Sequence, residues 1–107
     1  MHQNESNRRI FMKTNYQLSI INHLRDLRQE RNLSQAQVAT SLGISTGQMG
    51  NIETPKAAHK YTIGQIYTIC NEFKISVADI FLSEEEKKLP TNDLINTLIK
   101  NIVEYEQ

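Results

Sequence analysis

The residue types that carry out catalysis or bind metals are present in this chain but scattered along it. Its three histidines and one cysteine stand singly, and no spacing among them matches a zinc site. The acids of residues 84–86 are consecutive where a solvated helix should start, and no serine, histidine and aspartate have the context of a nucleophilic triad. The sequence therefore predicts a non-enzyme with no cofactor and no structural metal.

Residues 45–54 have a more informative spacing. With a helical period, Ser45, Met49 and Ile52 point towards a core and leave a small, polar face on the opposite side. Short side chains let a helix approach base edges in the DNA major groove, and the amide of Asn51 can pair with adenine through two hydrogen bonds. The residues predicted to face the bases are Thr46, Gly47, Gln48, Gly50 and Asn51.

Two helices in close succession must position that face. Apolar residues at three- and four-residue spacing predict a first amphipathic helix from Leu18, with Arg25, Arg28 and Arg31 on its wetter side. Ser34 can cap a second helix over residues 35–42, and Ser45 can cap a third. Gly43 falls where the end of a helix favours a residue with positive φ. Two helices separated by three or four residues have the geometry of a helix-turn-helix.

Three more helices are predicted further along the chain. Thr62 can cap a fourth helix whose apolar stripe ends at Phe73, and Ser76 can cap a short fifth one. After Pro90, apolar residues at a spacing near 3.6 predict a sixth helix over residues 92–106. The predicted fold class is all-α, with a five-helix unit and an added C-terminal helix.

Length and composition indicate a small globular protein and exclude large enzyme folds. A chain of 107 residues, 38% apolar and 22% charged, suits one small domain and is too short for a barrel enzyme. We expect a polar N-terminal arm over residues 1–15, a DNA-binding domain over residues 16–82 and a C-terminal extension over residues 83–107. No stretch resembles a membrane span or a secretory signal, so we expect a cytoplasmic protein.

The neutral total charge conceals an asymmetry along the chain. Residues 1–62 hold eight Lys and Arg against four acids, a net +4, whereas residues 63–107 hold four against eight, a net −4. A basic half is a mild indication of contact with nucleic acid. Arg8 and Arg9, in the arm, can extend such a contact along a groove, although a terminus with two charges is more often simply disordered.

The stretch from Leu33 to Glu53 resembles the helix-turn-helix of the phage-repressor-like family, also called the Cro/CI type or XRE family. The resemblance rests on its Leu-Ser-Gln start, Ala39, Gly43 and the terminal Ile52-Glu53, and it extends more loosely over residues 18–82. It implies a sequence-specific DNA-binding transcriptional regulator that acts as a repressor. Family members usually bind inverted-repeat operators as dimers.

The resemblance also implies contacts with the phosphate backbone of double-stranded DNA. Gln35 corresponds to a family glutamine that meets a phosphate. The loop after the third helix departs from the family pattern, because Thr54-Pro55 replaces a common glycine and lengthens the loop. The residues predicted to bind phosphate are Gln35, Lys56, His59 and Lys60, with Tyr61 as a further donor.

The last predicted helix is more apolar than a lone surface helix needs to be. Three explanations remain open: it packs on its own core, it forms a homodimer, or it binds another protein. The third would suit an antitoxin that represses its own operon, and a further alternative is an interaction adaptor that has lost DNA binding. The residues predicted for dimer or partner contact are Leu94, Ile95, Leu98, Ile99 and Ile102, with Val103 on the same strip.

Overall fold

The computed structural model describes residues 12–107 and confirms the all-α prediction. These residues form six α-helices and one 3₁₀ turn, with no strand among them. In chain order the helices are α1 (Asn15–Glu30), α2 (Gln35–Leu42), α3 (Thr46–Glu53), α4 (Ile63–Phe73), α5 (Val77–Phe81) and α6 (Thr91–Glu106), and the 3₁₀ turn is Glu86–Lys88. Arg8 and Arg9 lie outside the described residues.

Reciprocal capping boxes start the first five helices. In each box a Ser or Thr hydroxyl accepts the backbone N–H three residues on, and the side chain there accepts the N–H of the capping residue. The pairs are Thr14 with Gln17, Ser34 with Gln37, Ser45 with Gln48, Thr62 with Gln65 and Ser76 with Asp79. Four of these caps are predicted from the sequence. The Thr14 box is not, and it starts α1 three residues before Leu18.

Contacts divide the chain into two compact units, the first ending at Tyr61 and the second starting at Thr62. The division into an arm, a DNA-binding domain and an extension remains a prediction. Thr14 is the N-cap of α1, and Asn15 is its first residue. Among the described residues, no helix is long and apolar enough to cross a membrane.

The first unit holds α1, α2, α3 and the loop after α3. Gly43 ends α2 with a φ of 70°, a left-handed conformation that glycine adopts without strain, and α3 begins three residues later. This turn confirms the predicted helix-turn-helix. The buried apolar side chains of the unit are Ile20, Ile21, Leu24, Val38, Ala39, Met49, Ile52 and Tyr61.

The second unit packs one face of α6 against its own residues. The ring of Tyr105 is fully buried and meets Phe81 edge to face, with 5.8 Å between ring centroids. The side-chain amide of Asn101 donates a hydrogen bond to the Phe81 carbonyl oxygen at 2.7 Å. The α6 helix is therefore a packed part of this unit.

Cys70, on α4, is also buried in the second unit, and burial raises the pKa of its thiol to about 11.

Candidate nucleic-acid interface

A buried ion pair joins α1 to α3, the second helix of the helix-turn-helix. The guanidinium of Arg28, on α1, donates from Nε and Nη2 to the two carboxylate oxygens of Glu53, on α3, each at 2.9 Å. Its Nη1 donates to the Leu33 carbonyl oxygen at 2.6 Å, just before α2. Both charged residues are buried, so the prediction that Arg28 lies on the wetter side of its helix is wrong. One arginine on α1 thus holds both α3 and the residue that precedes the cap of α2.

The residues predicted to face the bases lie on the solvent side of α3. Thr46, Gly47, Gln48 and Asn51 are exposed and Gly50 is half-buried. Met49 and Ile52 are buried on the opposite side, as the helical period predicts, whereas Ser45 is exposed because it serves as the N-cap. A Cβ added at Gly47 or Gly50 would meet no atom closer than 3.8 Å. A methyl group would therefore fit at either glycine in ordinary van der Waals contact, and its absence keeps this face of α3 low.

The capping role of Gln48 limits what its amide can offer to a base. Its Oε1 accepts the backbone N–H of Ser45 at 2.9 Å, which orients the amide and leaves its N–H groups as the outward donors. Such donors suit the N7 and O6 acceptors of guanine or the O4 acceptor of thymine. The amide of Asn51 has no capping role, so it can offer both a donor and an acceptor.

Gln35 lies at the start of α2 and is tied to the buried ion pair. Its Nε2 donates to the Glu53 carboxylate at 2.9 Å, which fixes the orientation of the amide because a carboxylate only accepts. Its Oε1 lies 3.8 Å from where a Cβ on Gly50 would stand. The second N–H on Nε2 and the N-terminal backbone N–H groups of α2 are donors of the kind that a phosphate requires. The phosphate role of Gln35 remains a prediction.

The predicted phosphate-binding residues of the loop after α3 differ in exposure: the three basic residues reach solvent, whereas Tyr61 does not. Lys56 and His59 are exposed and Lys60 is half-buried. Tyr61 is almost fully buried, and its hydroxyl donates to the Met49 sulfur at 3.7 Å. The prediction that Tyr61 meets DNA is therefore wrong. Its ring belongs to the core of the first unit, beside Met49 of α3.

Lys13 also belongs to this site, although its place in the sequence gives no sign of it. Its side chain is only 8% exposed, and its Nζ donates to the backbone carbonyl oxygens of Asn51, Thr54 and Ala57 at 3.1, 2.5 and 2.6 Å. Burial lowers the pKa of this amine below its usual value. The capping signal of Thr14 and Gln17 could have placed Lys13 beside α1, but nothing local indicated its distant partners.

The outer face of α6 carries the predicted dimer or partner strip. Ile95, Ile99 and Val103 recur every four residues and are about half exposed. Leu94, Leu98 and Ile102 are partly covered, between this strip and the buried face. Single exposed apolar side chains are ordinary, whereas a continuous row on one helix is typical of an interface.

The geometry defines the class of protein. Two capped helices around a left-handed glycine, held to a third helix by a buried ion pair, expose a small polar face flanked by loop cations, as in a DNA-binding helix-turn-helix. Within residues 12–107, no three His, Cys, Asp or Glu side chains are grouped closely enough to bind a metal ion.

Comparison with known proteins identifies the family. A family model described as a helix-turn-helix domain matches residues 21–97, most of the chain. The chain belongs to this family, and its predicted resemblance to the Cro/CI type is confirmed. A helix-turn-helix domain implies a DNA-binding regulator, with DNA as the partner. Searches of curated proteins and of solved structures gave no significant match.

Proposed function

We propose that this protein is a sequence-specific transcriptional repressor that binds an inverted-repeat operator as a homodimer. The observation that carries the proposal is the exposed, small polar face of α3, whose Glu53 is paired with Arg28 of α1 and accepts a hydrogen bond from Gln35 of α2. A helix with glycines on its outer side can approach base edges closely. Asn51 is then the main base-reading side chain, and Gln48 adds donors.

Contacts with phosphate set the register of this helix without reading sequence. The exposed Lys56 and His59, together with Lys60, follow α3 on the loop that closes the first unit. The N-terminus of α2 offers backbone N–H groups beside Gln35. We expect binding to weaken steeply with salt, because each cation that meets a phosphate releases counterions.

The second copy of the chain is the occupant that we propose for the strip of Ile95, Ile99 and Val103. A single helix-turn-helix has a small interface with DNA, so a second copy on an adjacent half-site is needed for useful specificity. The strip is exposed although the other face of α6 is packed. Ile99→Asp should therefore give a monomer in analytical ultracentrifugation. Lys100→Gln, which changes the charge of the same helix by the same one unit at an exposed position further round the helix from the strip, should leave the dimer intact.

The same strip would also suit a different protein, as in the antitoxin alternative. If wild-type protein is a monomer at micromolar concentration, the homodimer proposal fails and the antitoxin reading gains. A neighbouring gene product that copurifies with the chain, and is released by Ile99→Asp, would then identify the partner.

The DNA-binding proposal is tested by selecting genomic DNA fragments with the purified protein at near-physiological salt. We expect a common inverted repeat to be enriched by wild-type protein and lost with Asn51→Ala. Asn71→Ala is the matched control, because Asn71 is an exposed asparagine on α4, outside the proposed interface. Enrichment of nothing above random fragments would refute the repressor proposal and favour the adaptor alternative.

A further inference from the structure

We propose that Lys13 is a positioning residue for DNA recognition, which holds the end of α3 and the loop after it in one register for docking on DNA. The inference rests on the proposed function and adds a residue to it that makes no contact with DNA itself. Lys13 acts through the main chain of residues 51–57, the segment that presents Asn51 and Lys56 at the proposed interface.

The contacts of Lys13 span the proposed base-reading and phosphate-binding segments. One carbonyl belongs to Asn51, the second to Thr54, the C-cap of α3, and the third to Ala57, between Lys56 and His59 in the loop. An ammonium has three N–H donors, and here each has a backbone acceptor. A single side chain therefore connects helix end and loop.

The α3 helix depends on this contact more than most helices would. It has only eight residues, two of which are glycines that disfavour helical structure, and its last turn contains no basic residue. Its N-terminus is held by the Ser45 box, and Arg28 holds the Glu53 side chain. Lys13 supplies the positive charge that a helix C-terminus favours, and it holds main-chain oxygens that neither of those contacts reaches.

Removal of the amine should loosen the loop and degrade recognition while the fold persists. Lys13→Met keeps the apolar stem and removes every donor. Lys88→Met is the charge control, because Lys88 is exposed on the 3₁₀ turn, and Ile20→Ala is the stability control, because it truncates the core on α1. All variants are compared at a temperature where circular dichroism shows them folded.

Two measurements follow on each variant: amide hydrogen exchange over residues 54–60, and affinity for the selected operator relative to a copy with altered half-sites, over a range of salt. For Lys13→Met we expect faster exchange and a specificity ratio lower by about tenfold or more, as for loss of one base-pair contact. The salt dependence should become shallower by about one or two phosphate contacts. Neither control should change the ratio or the salt dependence.

Several outcomes would overturn the inference. It fails if Lys13→Met keeps the wild-type ratio, if its loop amides stay protected, or if Ile20→Ala loses the same specificity. Should Lys13→Met not fold, Lys13→Gln retains two N–H donors and must give an intermediate ratio; a wild-type ratio there would also overturn the inference. If wild-type protein selects no DNA, the proposed function and this inference fail together, whereas a failure confined to the Lys13 variants leaves the proposed function standing.

Discussion

Glu53→Gln should be among the most destabilising conservative substitutions in the first unit. Three N–H donors converge on the Glu53 carboxylate, two from Arg28 and one from Gln35. A glutamine has one acceptor oxygen, so its own amide N–H₂ would face a donor, and the buried guanidinium would lose its counter-charge. Breaking a buried pair from one side costs about 3–5 kcal/mol, which is a large part of a typical free energy of unfolding of about 5–15 kcal/mol.

The assay is urea unfolding at neutral pH, followed by circular dichroism. Glu72→Gln is the matched control, because Glu72 is exposed on α4 and should change the free energy of unfolding by about 0.5 kcal/mol or less. The double substitution Arg28→Met with Glu53→Met removes both charges together. It should cost less than the two single substitutions added, since neither partner is left buried alone.

Two results would refute this reasoning. One is a Glu53→Gln variant as stable as Glu72→Gln, which would mean that the buried pair contributes little to the fold. The other is strict additivity of the Arg28 and Glu53 substitutions, which would mean that the two side chains are not coupled despite their paired hydrogen bonds.

Three further predictions concern the helix face, acid stability and the cysteine. Gly47→Ala and Gly50→Ala should each raise the free energy of unfolding by up to about 1 kcal/mol, because the added methyl fits. The same substitutions should weaken operator binding, measured by fluorescence anisotropy. Unchanged affinity would show that this face of α3 does not contact DNA. The hydrogen bond from Lys87, with one from the backbone N–H of Ser76, lowers the pKa of Asp79. The stabilising contribution of the Asp79 carboxylate should therefore be present above about pH 4 and be lost as the pH falls through the folded pKa. Asp79→Asn should make the free energy of unfolding depend less on pH below about pH 4. Cys70, with its raised pKa, should react with a thiol reagent at pH 8 only as fast as the protein unfolds, and rapid labelling of folded protein would contradict its burial.

The sequence predicts the helix-turn-helix well because its signals are local. Ser34 and Ser45 each stand three residues before a glutamine, which is enough to start a helix, and Gly43 supplies the left-handed turn between them. The helical period then separates buried Met49 from exposed Asn51 without reference to the rest of the chain. The proposed base-reading face is therefore determined within a short segment.

The parts that sequence reasoning misses depend on contacts between distant residues. Arg28 has the spacing of a solvated residue, but its partner Glu53 is 25 residues away. Lys13 lies in a polar stretch, and its acceptors are main-chain oxygens 38 to 44 residues away. Tyr61 follows a basic loop, and only the position of Met49 shows why its ring is buried. Buried polar side chains of this kind are recognised by their partners, which a local pattern does not contain.

The most direct test of the central claim is a double-mutant cycle between Asn51 and the bases of the selected operator. Affinities of wild-type protein and Asn51→Ala are measured for the operator and for copies with single base-pair substitutions in both half-sites. We predict a coupling of about 1–3 kcal/mol at one symmetric position and none elsewhere. Coupling at no position, with Asn51→Ala weakening every sequence equally, would contradict the account that this face of α3 reads DNA.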